Sequence, residues 1–153
     1  MKNLKLISIL LFISILANAQ TEKITLNTAF SSCADLAVLD TTENYDLGLI
    51  IYSDDVETVW NALRLALYSQ GEGDKVIMFV VGRGLDAFMK IQNKNEAFYL
   101  HDLANEFWKN DGKIYSCATC AKARNTEDVE NCTITGIADF YQIVKRSKKV
   151  LTF

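Results

Sequence analysis

The sequence predicts a single α/β domain with a mostly parallel sheet flanked by helices. Two apolar runs, residues 45–52 (YDLGLIIY) and 75–81 (KVIMFVV), are typical of strands that are covered on both faces. The segment between them has helical periodicity, and a helix that joins two such strands makes them parallel. Because strands and helices continue to alternate, we expect an open sheet of flavodoxin-like type.

The first helix is expected to begin at Ser53 or Asp54, since both side chains cap helix N-termini well. It should end near Gly71 and Gly73. Its apolar residues recur at helical spacing and predict one buried face: Val56, Val59, Trp60, Leu63 and Leu67. After the second strand, residues 82–84 (GRG) predict a tight turn, because they lack the full glycine pattern of a phosphate-binding loop.

The next elements are a short helical turn at residues 85–89 and a helix at residues 96–109. The second of these is expected to bury one apolar face: Leu100, Leu103, Ala104 and Phe107. His101 is the single histidine of the chain and lies beside that face. Since no local residue pairs with it, we expect a packed or half-exposed side chain and not a ligand or base.

The C-terminal part predicts a short strand at residues 132–134, a helix capped by Thr135, and a last strand at residues 150–153. The helix is expected to bury one face, which holds four residues: Ile137, Phe140, Tyr141 and Val144. The strand that precedes the cysteine motif follows a turn at residues 110–112 (NDG).

The first 19 residues predict a secretory signal peptide. A basic start is followed by the apolar residues 6–16 and by the small-residue site Ala17-Asn18-Ala19. The apolar run is shorter than the roughly 20 residues of a membrane-spanning helix, so we expect cleavage after Ala19 and no membrane anchor. The protein should then be exported, periplasmic or secreted, with residues 20–43 as an N-terminal extension and residues 44–153 as the domain.

Charge argues against a nucleic-acid partner. The chain has 16 basic and 19 acidic residues, and loss of Lys2 and Lys5 with the signal peptide lowers the net charge from −3 to −5. A mildly acidic domain of this kind repels the phosphate backbone.

Residues 113–125 (KIYSCATCAKARN) contain the candidate chemistry. Cys117 is expected at the end of a strand and the start of a helix, where backbone N–H groups and the helix dipole favour a thiolate. Cys120 follows one helical turn later, as a C-x-x-C pair. We therefore predict Cys117 as the nucleophile and Cys120 as the resolving partner.

These features resemble the DsrE/DsrF-like sulfur-relay family over residues 44–153. The resemblance rests on YDLGLIIYS, KVIMFVVG, KIYSCATCAKARN, GIADFYQIV and VLTF. In that family a cysteine after this strand carries sulfur as a persulfide, and Cys117 matches it. Cys120 matches the C-x-x-C form of the family. Arg124 matches an arginine that is followed in the family by glycine, where this chain has Asn125; asparagine also adopts the left-handed conformation.

The resemblance implies a sulfur carrier or a sulfurtransferase that forms a persulfide on Cys117. Cys117 and Cys120 are the candidate catalytic residues, and Arg124 and Lys122 are candidate thiolate partners. The implied partners are sulfur donor or acceptor proteins or small thiols, without a cofactor. The resemblance also implies a homo-oligomer, usually a trimer. Four aromatic residues exceed what one small domain easily buries: Phe88, Phe98, Tyr99 and Trp108.

Two other functions remain open from the sequence. An exported C-x-x-C pair also suits thiol–disulfide exchange. The pair could instead be a structural disulfide or part of a metal site in a non-catalytic binding protein. A zinc site would need further ligands from Cys132, His101 or Cys33, so no metal is expected. The pairing and redox state of the four cysteines are not fixed by their spacing.

Overall fold

The computed structural model describes residues 39–91 and 99–153. The predicted signal peptide, most of the N-terminal extension, Cys33 and Phe98 lie outside the described residues. The elements of the described part are β1 (Tyr45–Ile51), α1 (Val56–Gly71), β2 (Val76–Val80), α2 (Gly84–Ile91), α3 (Leu100–Lys109), β3 (Lys113–Cys117), α4 (Ala118–Ala123), β4 (Thr133–Thr135), α5 (Ile137–Arg146) and β5 (Ser147–Thr152).

The strands form one parallel sheet in the order β4-β3-β2-β1-β5. The chain steps outward from β1 to β4 and then returns across the sheet to place β5 beside β1. Since crossovers between parallel strands are right-handed, the outward helices and the returning α5 cover opposite faces. The predicted α/β fold of flavodoxin-like type is confirmed.

The larger core lies between the sheet and helices α1 to α4. Val59 and Leu63 of α1 are fully buried there, as their spacing predicts. The cap of α1 differs from the prediction, because Asp55 and not Ser53 or Asp54 is the N-cap: its Oδ1 accepts the N–H of Thr58 at 2.8 Å. Phe88 of α2 is also buried in this core, so it adds no aromatic surface.

The smaller core lies on the α5 face. Ile143 is fully buried, and the ring of Phe140 packs on Phe79 with 4.7 Å between centroids. The predicted inner face of α5 is therefore largely wrong. Ile137, Tyr141 and Val144 are 54%, 60% and 43% exposed, because contact through Phe140 and Ile143 turns these three residues toward solvent.

The ends of α5 also differ from the prediction. Thr135 does not cap the helix; Gly136 is the N-cap, and the Thr135 hydroxyl donates to the buried carboxylate of Asp139. α5 ends at Arg146, so β5 starts at Ser147, three residues before the predicted strand. In the described residues α3 starts at Leu100, inside the predicted span of 96–109.

The turn from β2 to α2 is tight, as residues 82–84 predict. Gly82 has a left-handed backbone with φ of +58°. Gly84 packs against the end of β1, where an added Cβ would lie 2.3 Å from the carbonyl oxygen of Ile51. The turn is thus held close to the carboxyl ends of β1 and β2. Among the described helices, none has the length and apolar character needed to cross a membrane.

Candidate functional site

Cys117 is the last residue of β3 and the N-cap of α4. β3 lies between β2 and β4, with Ser116 opposite Val80 and Cys117 opposite Thr135. The cysteine therefore stands at the carboxyl edge of the sheet, where parallel α/β sheets bind their ligands. The strand, turn and helix expected around the motif are confirmed.

The two cysteines of the motif are held by backbone N–H groups. The N–H of Cys120 donates to Cys117 Sγ at 3.4 Å, and the N–H of Gly82 donates to Cys120 Sγ at 3.2 Å. Both side chains are half-buried and neither forms a disulfide within the described residues, and the same is true of Cys132. Cys117 packs toward the α5 face and Cys120 toward the α1 face, so the pair spans the edge of the sheet.

The protonation of Cys117 is the reverse of the sequence prediction. Burial, followed by a hydrogen bond with the Cys120 side chain, raises the pKa of Cys117 to about 11. The backbone N–H groups of Cys120 and Thr119 act in the other direction. The sequence pattern shows those donors but not the burial, and here the loss of solvation outweighs them.

Arg124 lies at the C-cap of α4, where it binds Asp86 of α2. Its Nε donates to Oδ1 at 2.5 Å and its Nη2 to Oδ2 at 2.8 Å. Its Nη1 donates to the carbonyl oxygen of Cys120 at 3.1 Å. The hydrogen bond with Arg124 lowers the pKa of Asp86, and the same bond raises the pKa of Arg124. These contacts tie α4 to α2 and engage the guanidinium with a carboxylate, and the role of Arg124 as a thiolate partner stays a prediction.

Lys122 is exposed on the outer side of α4. It lines a cleft of about 560 Å³ together with Ala118, Asn125 and Ile134. One wall of the cleft is Ala118, the residue that follows Cys117. Lys122 therefore lies beside the site and faces solvent. Asn125 has φ of +52°, the left-handed conformation that its position after the helix predicts.

Cys132 and His101, which the sequence offered as further zinc ligands, make their contacts with residues other than Cys117 and Cys120. Cys132 packs in the larger core, and burial, followed by the charge of Asp128, raises its pKa to about 12. His101 is mostly buried beside Asp102 and Glu130, with 3.4 Å to each carboxylate. Within residues 39–91 and 99–153, no three histidine, cysteine or acidic side chains form a group that could hold a metal ion.

Two residues of the site were not predicted from the sequence. Gly82 was expected only as a turn residue, and Asp86 was given no role. The GRG turn and an acidic residue in the first turn of α2 were visible. Their contacts with Cys120 and Arg124 depend on the β2–β3 pairing, which local patterns do not specify.

The fold and the site thus define a class of protein: a parallel α/β domain with a pair of cysteines at the carboxyl edge of its sheet. The profile of the DsrE/DsrF-like family matches residues 47–153. The chain belongs to this family.

Two relatives are similar to this chain in sequence, at low identity. The uncharacterized protein MK0008 of Methanopyrus kandleri is 26% identical over 121 residues, 75% of this chain and 100% of that protein. The uncharacterized protein MJ0989 of Methanocaldococcus jannaschii is 29% identical over 100 residues, 63% of this chain and 88% of that protein.

Two solved structures resemble the fold. The ychN protein of E. coli matches with a TM-score of 0.62 at 18% identity, over 71% of this chain and 98% of its own. The conserved protein BT1422 of Bacteroides thetaiotaomicron matches with a TM-score of 0.58 at 16% identity, over 71% of this chain and 95% of its own. At these identities the likeness concerns the fold alone.

Proposed function

We propose that this protein carries sulfur as a persulfide on Cys117 and works as a sulfur carrier or sulfurtransferase. The observation that carries the proposal is the position of Cys117 at the carboxyl end of β3, with the N–H of Cys120 on its sulfur. Membership of the DsrE/DsrF-like family supports it. The donors and acceptors would be persulfide-bearing proteins or small thiols.

Loading needs a nucleophilic sulfur and an electrophilic one. The Cys117 sulfur attacks the outer sulfur of a donor persulfide, RS–SH. A bond forms between Cys117 Sγ and that sulfur, and the RS–S bond breaks with its electron pair on the RS⁻ thiolate. Because Cys117 is held as a thiol, its proton must be accepted as the attack proceeds.

The test is sulfur loading of variants in which one cysteine at a time is replaced by serine. Reduced protein is incubated with glutathione persulfide, and its intact and peptide masses are measured. We expect a gain of about 32 Da on the Cys117 peptide at early times. Cys117→Ser should take up no sulfur at this peptide or at Cys120, whereas Cys132→Ser, the matched control in the core, should load like the wild type. Equal loading of Cys117→Ser would contradict the proposal.

Thiol–disulfide exchange is the second candidate. It is favoured by the backbone contact that joins Cys117 to Cys120, since this places two thiols side by side at the sheet edge. A reduced pair used for exchange alone would pass two electrons to a disulfide substrate, become a Cys117–Cys120 disulfide itself, and show no mass of added sulfur. The loading experiment therefore separates the two functions.

We further propose that the protein is exported and self-associates. Export is supported by the charge and apolar pattern of residues 1–19, and N-terminal sequencing of the exported fraction should begin at Gln20. Self-association into a homo-oligomer, with a trimer preferred, is supported by the exposed apolar residues of α5 and by exposed Tyr99 and Trp108.

A further inference from the structure

The two sulfur atoms of the motif have different surroundings. Cys120 Sγ accepts an N–H from another element, that of Gly82 in the β2–α2 turn, at 3.2 Å. Cys117 Sγ accepts from within its own turn, from the N–H of Cys120 at the longer distance of 3.4 Å and from that of Thr119. An N–H donor gives a negatively charged sulfur a hydrogen-bond partner. The contact from Gly82 therefore holds the Cys120 sulfur beside the β2–α2 turn.

Cys117 is held as a thiol. Burial, and then its hydrogen bond with the Cys120 side chain, raise the pKa of Cys117 to about 11. In neutral solution Cys117 is a thiol that is hydrogen-bonded to its neighbour. The two side chains of the pair thus contact each other, as a reaction between their sulfur atoms requires.

The position of Cys120 is fixed from two sides. Arg124 reaches back to the Cys120 carbonyl at 3.1 Å while it binds Asp86 on α2 with two further contacts. Gly82 lies just ahead of α2. The Arg124–Asp86 ion pair joins α2 to α4, so it helps to keep the Gly82 N–H and the Cys120 sulfur close together. This fixes Cys120 close to Cys117 in each step of a reaction at the pair.

We propose that Cys120 discharges the persulfide carried by Cys117, so that sulfur leaves the site as hydrogen sulfide and a Cys117–Cys120 disulfide remains. This rests on the proposed function, because it needs a persulfide on Cys117. The substrate class is then sulfane sulfur, in the form of small or protein persulfides, and the product is sulfide.

The steps balance as follows. During loading the proton of Cys117 passes to the departing donor sulfur, so that the donor leaves as RSH and Cys120 remains a thiol. Cys120 Sγ then attacks Cys117 Sγ. The Cys117–S bond breaks with its electron pair on the outer sulfur, which takes up the proton of Cys120 and leaves as H₂S. The dithiol is oxidised by two electrons, and the sulfane sulfur is reduced to sulfide.

A second turnover requires reduction of the disulfide. A small thiol or a reduced dithiol protein would supply the two electrons through a mixed disulfide. Without that reductant, each protein should release one sulfide and stop. A reaction that generates persulfides must precede this step, and one that uses or removes sulfide must follow it.

The experiment follows wild type, Cys120→Ser and Cys120→Ala after loading with glutathione persulfide and removal of excess donor. Sulfide is trapped with monobromobimane, and intact mass is recorded over time. We expect the wild type to release about one equivalent of sulfide and to lose about 2 Da relative to the reduced protein. Both Cys120 variants should keep the added sulfur on Cys117 at least about tenfold longer.

The outcomes separate this inference from the function on which it rests. If the wild type keeps its persulfide as long as the Cys120 variants and releases no sulfide, discharge by Cys120 is wrong while sulfur carriage stands. If neither the wild type nor either variant takes up sulfur, both proposals are overturned. Cys132→Ser should discharge like the wild type; loss of discharge in this variant would also contradict the assignment to Cys120.

Discussion

The guanidinium of Arg124 and the carboxylate of Asp86 are joined by two nearly parallel hydrogen bonds of 2.5 and 2.8 Å. The pair links the helix that carries Cys120 to the helix that follows the Gly82 turn. Its side chains are 23% and 36% exposed, so solvent screens it only in part. It supports the geometry of the two sulfur atoms by holding these two helices together.

Asp86→Asn should lower the free energy of unfolding by about 1 kcal/mol, because it removes the charge partner of a partly buried guanidinium. Asp54→Asn is the matched control, since it breaks a pair with Arg83, whose side chain is 75% exposed. We expect that control to change stability by less than about 0.5 kcal/mol. Urea titrations of both variants check the prediction, and equal effects would contradict it.

Acid should remove the contribution of this pair. The pKa of Asp86 is lowered in the folded protein by its hydrogen bond with Arg124. Its stabilisation is therefore present above the ordinary carboxylate pKa of about 4 and is lost as the pH falls further. Urea midpoints measured between neutral and acid pH should fall less steeply for Asp86→Asn than for the wild type. Parallel curves would show that the pair contributes nothing to acid stability.

Alkylation of Cys117 should continue to accelerate well above neutral pH. In a protein with Cys33→Ser, Cys120→Ser and Cys132→Ser, Cys117 is the one remaining cysteine. Burial still keeps its thiol protonated, so the rate should rise past the pKa of about 8.5 of a free cysteine. The same protein in denaturant is the control and should level off near that value. A plateau for the folded protein below pH 8.5 would restore the low-pKa cysteine that the sequence predicted.

The raised pKa of Cys117 also affects alkaline stability. Since the folded pKa of about 11 lies above the unfolded one, the stabilisation is complete below about pH 8.5 and is lost as the pH rises toward 11. The wild type should therefore lose stability in this range more steeply than Cys117→Ser. Urea midpoints at alkaline pH measure this, and equal losses in the two proteins would contradict it.

Gly84→Ala should destabilise the protein by about 2 kcal/mol or more, because the new Cβ would collide with the Ile51 carbonyl at the end of β1. Gly71→Ala provides the control. An added Cβ at Gly71 meets no atom within 4 Å, and replacing a glycine at the end of a helix should be neutral or stabilising by about 0.5 kcal/mol. Thermal unfolding of both variants would show the difference; a Gly84 variant as stable as the wild type would mean that the turn can move away from β1.

The exposed apolar face of α5 provides the test of self-association. Tyr141→Glu places a charge between Ile137 and Val144, which should disrupt an oligomer that buries this face. Tyr68→Glu is the control, since Tyr68 is 70% exposed on α1 of the opposite face of the sheet. Light scattering should give a smaller mass for Tyr141→Glu alone. A monomeric wild type, or an unchanged mass for Tyr141→Glu, would refute the assignment.

Much of the fold could be predicted because the runs of β1 and β2 are apolar throughout and their connecting helix is amphipathic. The left-handed Asn125 was also predictable from its position after a short helix. The face of α5 was not, because its apolar residues lie on more than half of its circumference and only packing against Phe79 selects Phe140 and Ile143. The pKa of Cys117 was mispredicted for a similar reason: burial depends on distant elements, whereas the N–H donors are local.

The central claim is that sulfur passes through Cys117, and isotope tracing tests it most directly. A small persulfide whose outer sulfur is a heavy isotope is mixed with reduced wild-type protein, and samples quenched at successive times are digested and mapped. The account predicts that the label appears first on the Cys117 peptide and then in released sulfide. Labelled sulfide that forms without label ever appearing at Cys117 would contradict it.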